Sequence, residues 1–279
     1  MYFLKILIAY FLIFSSLLFS QNIKLSGEKT EGGLIVGKGK DIKSVYFDKT
    51  KLPFDDKGYF VFGLGRNDSQ KHWLKVSFKD GKTKRFKIIP KKRRYNIQVI
   101  NDKKRQFFEP PKNELPRIAR EKQIIKRAKS KIGHDKIAYF STGFIRPVKG
   151  GRITGVYGSR RILNGVKKSP HFGLDIAKAK GSTVRAATSG IVRLAGKSFY
   201  YNGNFILIDH GQGLSSYYLH LSKIDVKAGD FVKRGDKIGE IGSTGRATGP
   251  HLHWEVRWNN VRIDPALVLK INRDEFLQK

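Results

Sequence analysis

The sequence predicts a mainly β chain, and three observations carry that expectation. Short apolar–polar alternations recur through most of its length, as half-buried strands require. Gly, Asp and Pro clusters separate them at turn-length intervals. Only one stretch, between Arg117 and Lys131, has the apolar spacing of a helix longer than two turns. The expected architecture is a small N-terminal β-sandwich-like module, one amphipathic linker helix and a C-terminal antiparallel β domain. The boundaries expected are 1–20, 21–105, 106–140 and 141–279. At 279 residues and 39% hydrophobic content the chain has ample length for a buried core and is not disordered as a whole.

Residues 1–20 read as an export signal. Lys5 supplies a minimal positive start, Ile6 to Phe19 is apolar except for Ser15 and Ser16, and Ser20 offers a small residue for cleavage. The run is short for a spanning helix, which needs ~20 residues. The expectation is therefore an exported chain, placed in the periplasm or cell envelope, with no membrane span after signal removal; the alternative is that the segment stays uncleaved as an anchor.

The N-terminal module comes next. Gly32 to Gly37, Ser44 to Phe47 and Tyr59 to Gly63 read as strands, with the turn signal Asp55-Asp56-Lys57-Gly58 before the last. Trp73 to Lys79 alternates, with Leu74, Val76 and Phe78 on one face. Asp80-Gly81 is the strongest hairpin dipeptide in the chain, and Phe86 and Ile88 mark the return strand. Nothing here carries chemistry: His72, beside Lys71 and Trp73, reads as a surface residue. Gly63-Leu64-Gly65 lacks the glycine and helix that a dinucleotide loop needs.

Lys103-Lys104-Arg105 closes a basic stretch, and Pro110, Pro111 and Pro116 mark a boundary. Ile118, Ile125, Ala128 and Ile132 then form one helical stripe, with Gly133 as its stop. Such a helix packs on a neighbouring domain. A membrane-surface helix is the sharper alternative, weakened by an apolar face without Trp, Phe or Leu between Arg117 and Lys131. From Tyr139 onward short strands return. They are expected at Arg152 to Gly158, Thr183 to Arg193, Phe205 to Asp209, Ser216 to His220, Lys237 to Ile241 and His251 to Trp258.

Composition narrows the chemistry. With no cysteine there is no disulfide, no thiolate zinc site and no cysteine nucleophile. A net charge of +33 reads either as attraction to a polyanion or as a lysine-rich surface throughout. The charge is spread along the chain without an aromatic–basic motif, so with the export signal no nucleic-acid partner is expected. Ser215-Ser216 lacks the context of a serine nucleophile.

Five of the seven histidines fall after residue 140. In Gly249-Pro250-His251-Leu252-His253-Trp254-Glu255, alternation puts His251, His253 and Glu255 on one strand face. His171 and Asp175 stand four apart around Gly173, where both side chains can converge on one ion. With His253 as third ligand, this His2Asp set leaves the open position a catalytic zinc needs for water. His251, two residues before His253 on the same face, then lies beside the metal without needing to bind it. Glu255 either orients His253 or is an exposed strand residue. Arg246 and Tyr218 are open between groove-lining, core and surface roles. His210 reads as a turn residue and His134 as solvated.

His171-x-x-x-Asp175, Tyr218-Leu219-His220-Leu221 and Gly242-x-Thr244-Gly245-Arg246 through Glu255 resemble the lysostaphin/LytM-type zinc metallopeptidases, the M23 peptidases. Val156-Tyr157-Gly158-Ser159-Arg160, Gly181-x-x-Val184-Arg185-Ala186 and the run from Val226 to Asp236 fit the same pattern, which covers roughly residues 144–268. The front half resembles periplasmic members from Gram-negative bacteria more loosely. The resemblance implies a LytM-type C-terminal domain that binds one Zn2+ through His171, Asp175 and His253. It makes His220 and His251 the histidines that handle protons and polarise the scissile carbonyl. It implies a zinc endopeptidase acting on peptidoglycan peptides. The alternative is a non-catalytic LytM-like activator of another wall hydrolase. The sequence leaves open whether the N-terminal module occludes the groove.

Overall fold

The structure is a computed structural model that describes residues 22–100, 110–167 and 169–271. The expected signal at 1–20 and the Lys103-Lys104-Arg105 run lie outside the described residues.

Two small sheets open the fold. β1 (Lys24–Ser26), β2 (Leu34–Lys38), β3 (Ile42–Phe47), β4 (Thr50–Leu52), β5 (Tyr59–Gly63), β6 (His72–Phe78) and β7 (Thr83–Ile88) succeed one another in order. They pair as β1-β2-β5 and β4-β3-β6-β7. Alternation decides what lies inside: Leu74, Val76 and Phe78 are buried, while Trp73 and Lys75 face water. β5 is buried at every residue. Its Phe62 ring stacks on Phe47 at 4.5 Å, and Gly63 sits so close to Ile263 and Trp258 that an added Cβ would meet the Ile263 side chain at 2.6 Å. Burying a large apolar side chain contributes ~1.5–3 kcal/mol, so this two-sided strand joins the N-terminal sheets firmly to the C-terminal β domain.

β8 (Ile97–Ile100) precedes α1 (Leu115–Lys129). Pro116 stands in the first turn of α1, where no intrahelical N–H is required. Ile118 and Ala128 are buried. Ala128, Ile125 and Ile132 pack on Phe199, Phe205, Leu207, Tyr217 and Leu219. The apolar stripe therefore faces protein, as the packing alternative required.

The remaining strands are β9 (Arg152–Gly155), β10 (Arg160–Leu163), β11 (Val166–Lys167), β12 (Leu174–Ala177), β13 (Thr183–Arg185), β14 (Gly190–Phe199), β15 (Gly203–Asp209), β16 (Leu214–Ile224), β17 (Phe231–Val232), β18 (Lys237–Ile241), β19 (His251–Trp258) and β20 (Val261–Ile263), then the short α2 (Pro265–Val268). The large sheet runs β17-β14-β15-β16-β19-β12-β9, with β18 bridging β13 and β16 and β20 beside β19. Two expectations change. The stretch from Thr183 to Arg193 is two strands, because Ala186 to Ser189 turns away between β13 and β14. The first strand ends at Gly155, because Gly158 takes a left-handed φ of 83° at a turn.

One pairing crosses the chain's halves: β8 lies parallel to β10, in a three-stranded sheet with β11. Beside it Arg66 donates from Nε and Nη2 to the Gly158 carbonyl at 2.9 and 2.6 Å, with its guanidinium over the Tyr95 ring at 4.1 Å. Arg93 pairs with Asp264 at 2.8 Å.

Candidate metal centre

Three neighbouring segments place the predicted ligands. Asp175 on β12 is the registered partner of His253 on β19, so both side chains leave the same face of the sheet. His171 precedes β12 in a loop held at both backbone groups: Gly158 N–H donates to the His171 carbonyl at 2.7 Å, and His171 N–H to the Ser159 carbonyl at 2.9 Å. Two glycines make room. A Cβ at Gly173 would stand 2.6 Å from the His253 ring, and one at Gly155 only 2.2 Å from Asp175 Oδ2.

The donor atoms converge. His253 Nδ1 lies 2.7 Å from Asp175 Oδ1. His171 Nε2 lies 3.1 Å from that oxygen and 3.1 Å from His253 Nδ1. The second nitrogen of each ring fixes its tautomer. His171 Nδ1 faces the Val156 carbonyl at 3.1 Å, an acceptor, so it carries the hydrogen and leaves Nε2 with a lone pair. His253 Nε2 donates in the same way to Glu255 Oε1 at 3.1 Å. Two imidazole lone pairs and a carboxylate oxygen thus point at one spot, a donor set that suits a metal ion.

The electrostatics agree. When protons rather than a metal lie between these groups, burial raises the Asp175 pKa, but hydrogen bonds from the protonated His171 and His253 rings outweigh it and hold the carboxyl well below the usual range. Burial lowers His253, yet Asp175 and Glu255 together push it up to about 9. Burial acts on Glu255 in the opposite sense to its His253 bond and the Arg257 charge, which win and hold it low. One imidazole between two carboxylates requires positive charge. Without a proton, a metal ion with nitrogen and oxygen ligands supplies it.

His220 and His251 stand beside this cluster, their ring centroids 4.9 Å apart. His220 Nδ1 donates to the Thr244 carbonyl at 2.9 Å and His251 Nδ1 to the Gly249 carbonyl at 2.8 Å. Each ring therefore keeps Nε2 as an acceptor; His251 Nε2 is 4.0 Å from Asp175 Oδ1. Burial, and then the neighbouring His251 and His253, push His220 down to about 4. Its backbone has φ 66°, a left-handed conformation uncommon for a non-glycine residue. The pairing of β16 breaks register around it, so a strand that would hide the ring presents it to the cleft instead.

All five predicted residues line one cleft of about 460 Å³, with Arg152, Thr154, Arg246 and Thr248 among its walls. Among the described residues, none of 22–100 lines it. Glu255 is the orienting group: 9% exposed, it accepts from His253 on one oxygen and from Arg257 at 2.6 and 3.0 Å on the other. Arg257 is the residue sequence reading missed, although the same alternation continues through 251, 253, 255 and 257. Tyr218 belongs to the core, where its hydroxyl accepts from the Ala187 N–H at 2.9 Å. His210 is buried between the Ser189 carbonyl and Ser216 Oγ, and burial pushes it down to about 4. His134 is exposed and turns Nε2 to the Ser130 carbonyl.

His72 differs from expectation. Its two nitrogens meet Asp48 Oδ2 at 2.7 Å and Asp68 Oδ1 at 2.8 Å, and its ring stacks on Phe47. It is a strap between two loops, built from residues that sequence proximity does not connect.

The family model described as Peptidase family M23 matches residues 169–265. Peptidoglycan DD-endopeptidase ShyA of Vibrio cholerae is 42% identical over 122 residues, which are 43% of this chain and 27% of that protein. DD-carboxypeptidase/endopeptidase Mpg of Neisseria meningitidis is 42% identical over 98 residues, 35% of this chain and 22% of its own. The chain thus spans about a quarter of the length of these curated relatives. A crystal structure of a peptidase M23 from Pseudomonas aeruginosa matches with a TM-score of 0.60 at 28% identity. That match covers 87% of this chain and 96% of the other, so it takes in the N-terminal sheets as well as the cleft. Among the described residues no helix is long and apolar enough to cross a membrane.

Proposed function

We propose, from the match of residues 169–265 to the model of peptidase family M23, that the chain is a zinc-dependent endopeptidase hydrolysing peptide bonds in peptidoglycan outside the cytoplasm. The observation that carries the reading is the convergence of His171 Nε2, Asp175 Oδ1 and His253 Nδ1, with two further histidines offering Nε2 to the same cleft. His171, Asp175 and His253 would hold the zinc. When bound, zinc polarises water and a substrate carbonyl and stabilises the negative charge that develops on its oxygen.

The chain's own residues do the rest. Nε2 of His220 or His251 accepts a proton from the attacking water, because each Nδ1 is already committed to a carbonyl. The same pair returns a proton to the leaving amine; positioned acid–base groups of this kind contribute ~10²–10⁴-fold. Glu255 keeps the His253 tautomer, and Arg257 keeps Glu255 in place. Arg152 and Arg246 add positive charge to the cleft walls, suited to a substrate bearing carboxylates.

Purified sacculi provide the test. Zinc-loaded protein is expected to release soluble fragments, chelator to stop release and added zinc to restore it. Mass spectrometry of the fragments names the bond that is cut. A folded, zinc-loaded protein that releases nothing would remove the enzyme reading. Wild-type complementation of a deletion strain by His253→Ala at equal expression would favour a non-catalytic activator.

A further inference from the structure

A second groove, of about 530 Å³, lies between α1 and the turn joining β19 to β20. Lys122, Lys126 and Lys129 line it, with Ile125, Ile132 and Asn259 among its other walls. Spacings of four and three residues put the lysines in one row along the helix. A row of like charges weakens a helix slightly, so its presence invites an anionic partner. None of the three forms an ion pair among the described residues. Burial, together with the nearby charges of Arg257 and Arg262, pushes the Lys129 ammonium pKa down. Glu255 acts on Lys129 too, but its oxygens are already held by His253 and Arg257.

A lipid surface fits this groove poorly. A helix lying on a membrane needs its apolar face for the acyl boundary, and here Ile118, Ile125 and Ala128 are turned towards the protein, the last two against the β15–β16 side chains. The sheet supplies a different connection. His251 and His253 line the metal cleft, and Asn259, just beyond the end of β19, lines the lysine groove. The six residues from His253 to Asn259 cover about 20 Å at a strand's rise per residue. That distance is within the span of one extended polymer.

We propose that the Lys122–Lys126–Lys129 row is a remote subsite for the carboxylates of peptidoglycan peptides, occupied while another peptide of the same polymer lies in the metal cleft. The proposal rests on the endopeptidase reading. The subsite holds the wall by charge and lets the cleft act repeatedly on a polymer that is already bound.

The test uses the full chain carrying Lys122→Gln, Lys126→Gln and Lys129→Gln together. A second triple variant, Lys43→Gln, Lys51→Gln and Lys75→Gln, removes equal charge from exposed positions on the N-terminal sheets. Both are sedimented with intact sacculi and with sacculi whose carboxylates have been amidated, and both are assayed on sacculi and on a short soluble cross-linked peptide. The groove variant is expected to need about tenfold more intact sacculi for half-saturation, the equivalent of ~1.4 kcal/mol. Its kcat on the short peptide stays unchanged, and the control variant behaves as wild type. Amidation should bring wild-type binding down to the level of the groove variant. Equal losses in both variants, or binding indifferent to amidation, overturn the proposal. So does a groove variant that keeps its sacculus affinity while losing affinity for phosphatidylglycerol vesicles. Should no protein hydrolyse anything while the binding pattern holds, the endopeptidase reading falls and the wall-binding groove stands.

Discussion

At the scale of single residues, the site is ordered by what each imidazole does with its second nitrogen. His171 gives its Nδ1 hydrogen to the Val156 carbonyl, and His253 gives its Nε2 hydrogen to Glu255. These bonds select the ring nitrogens that face the proposed metal position. Glu255→Gln removes the negative charge that supports His253 and unbalances Arg257. It is expected to weaken zinc affinity by about 10–100-fold, the usual cost of losing such a partner. Competition with a chelator of known affinity measures this directly, and an unchanged zinc affinity would reduce Glu255 to a strand residue. Much of this arrangement was legible. Period-two alternation placed His251, His253 and Glu255 on one face, and the His171–Asp175 spacing suggested a shared ion. The carbonyl partners were not legible, because a backbone oxygen carries no signature in the sequence.

Among elements, the loops bound by His72 show what local pattern leaves out. His72 lies on β6, Asp48 comes after β3 and Asp68 after β5, so the cluster exists only once the strands have paired. A protonated imidazole donates to both carboxylates; a neutral one can donate to only one. Burial lowers the His72 pKa, but the bonds and charges of Asp48 and Asp68 outweigh it and raise the folded value. The stabilisation is then fully present below the unfolded value of ~6.5 and is lost as pH rises through the folded one. The melting-temperature gap between wild type and His72→Gln is expected to be wider near pH ~5.5 than near pH ~9. A gap that ignores pH would mean that the strap works by packing on Phe47 alone. Strand positions themselves were readable: Tyr59 to Gly63 and His251 to Trp258 fall where alternation and turn signals put them. The parallel pairing of β8 with β10 was not. It joins segments about sixty residues apart, and neither carries a pattern that names its partner.

For the whole molecule, the N-terminal sheets and the proposed metal centre meet at the Gly158 residue. Arg66 holds its carbonyl, and its N–H holds the carbonyl of His171. Tyr95 presses on the same spot so closely that a Cβ at Gly158 would lie 2.1 Å from its ring. Arg66→Ala leaves that carbonyl without its guanidinium and removes the nearer of the two cations over Tyr95. A loss of about 2–3 kcal/mol is expected from the charged hydrogen bonds, together with weaker zinc binding as the His171 loop loosens. Denaturant midpoints and zinc competition read the two effects separately. A variant as stable as wild type would show that the contact holds nothing. The expected boundaries, 105/106 and 140/141, divide the chain by sequence texture, and the close packing of Gly63 on Trp258 and Ile263 crosses both of them. His220 extends the same coupling to selection. Its left-handed backbone is one that glycine or asparagine adopts more readily. Thermostability screening of a random library would accordingly enrich replacements at position 220. Directed evolution of this scaffold must therefore score turnover alongside heat resistance, or its hardiest descendants will have discarded the chemistry.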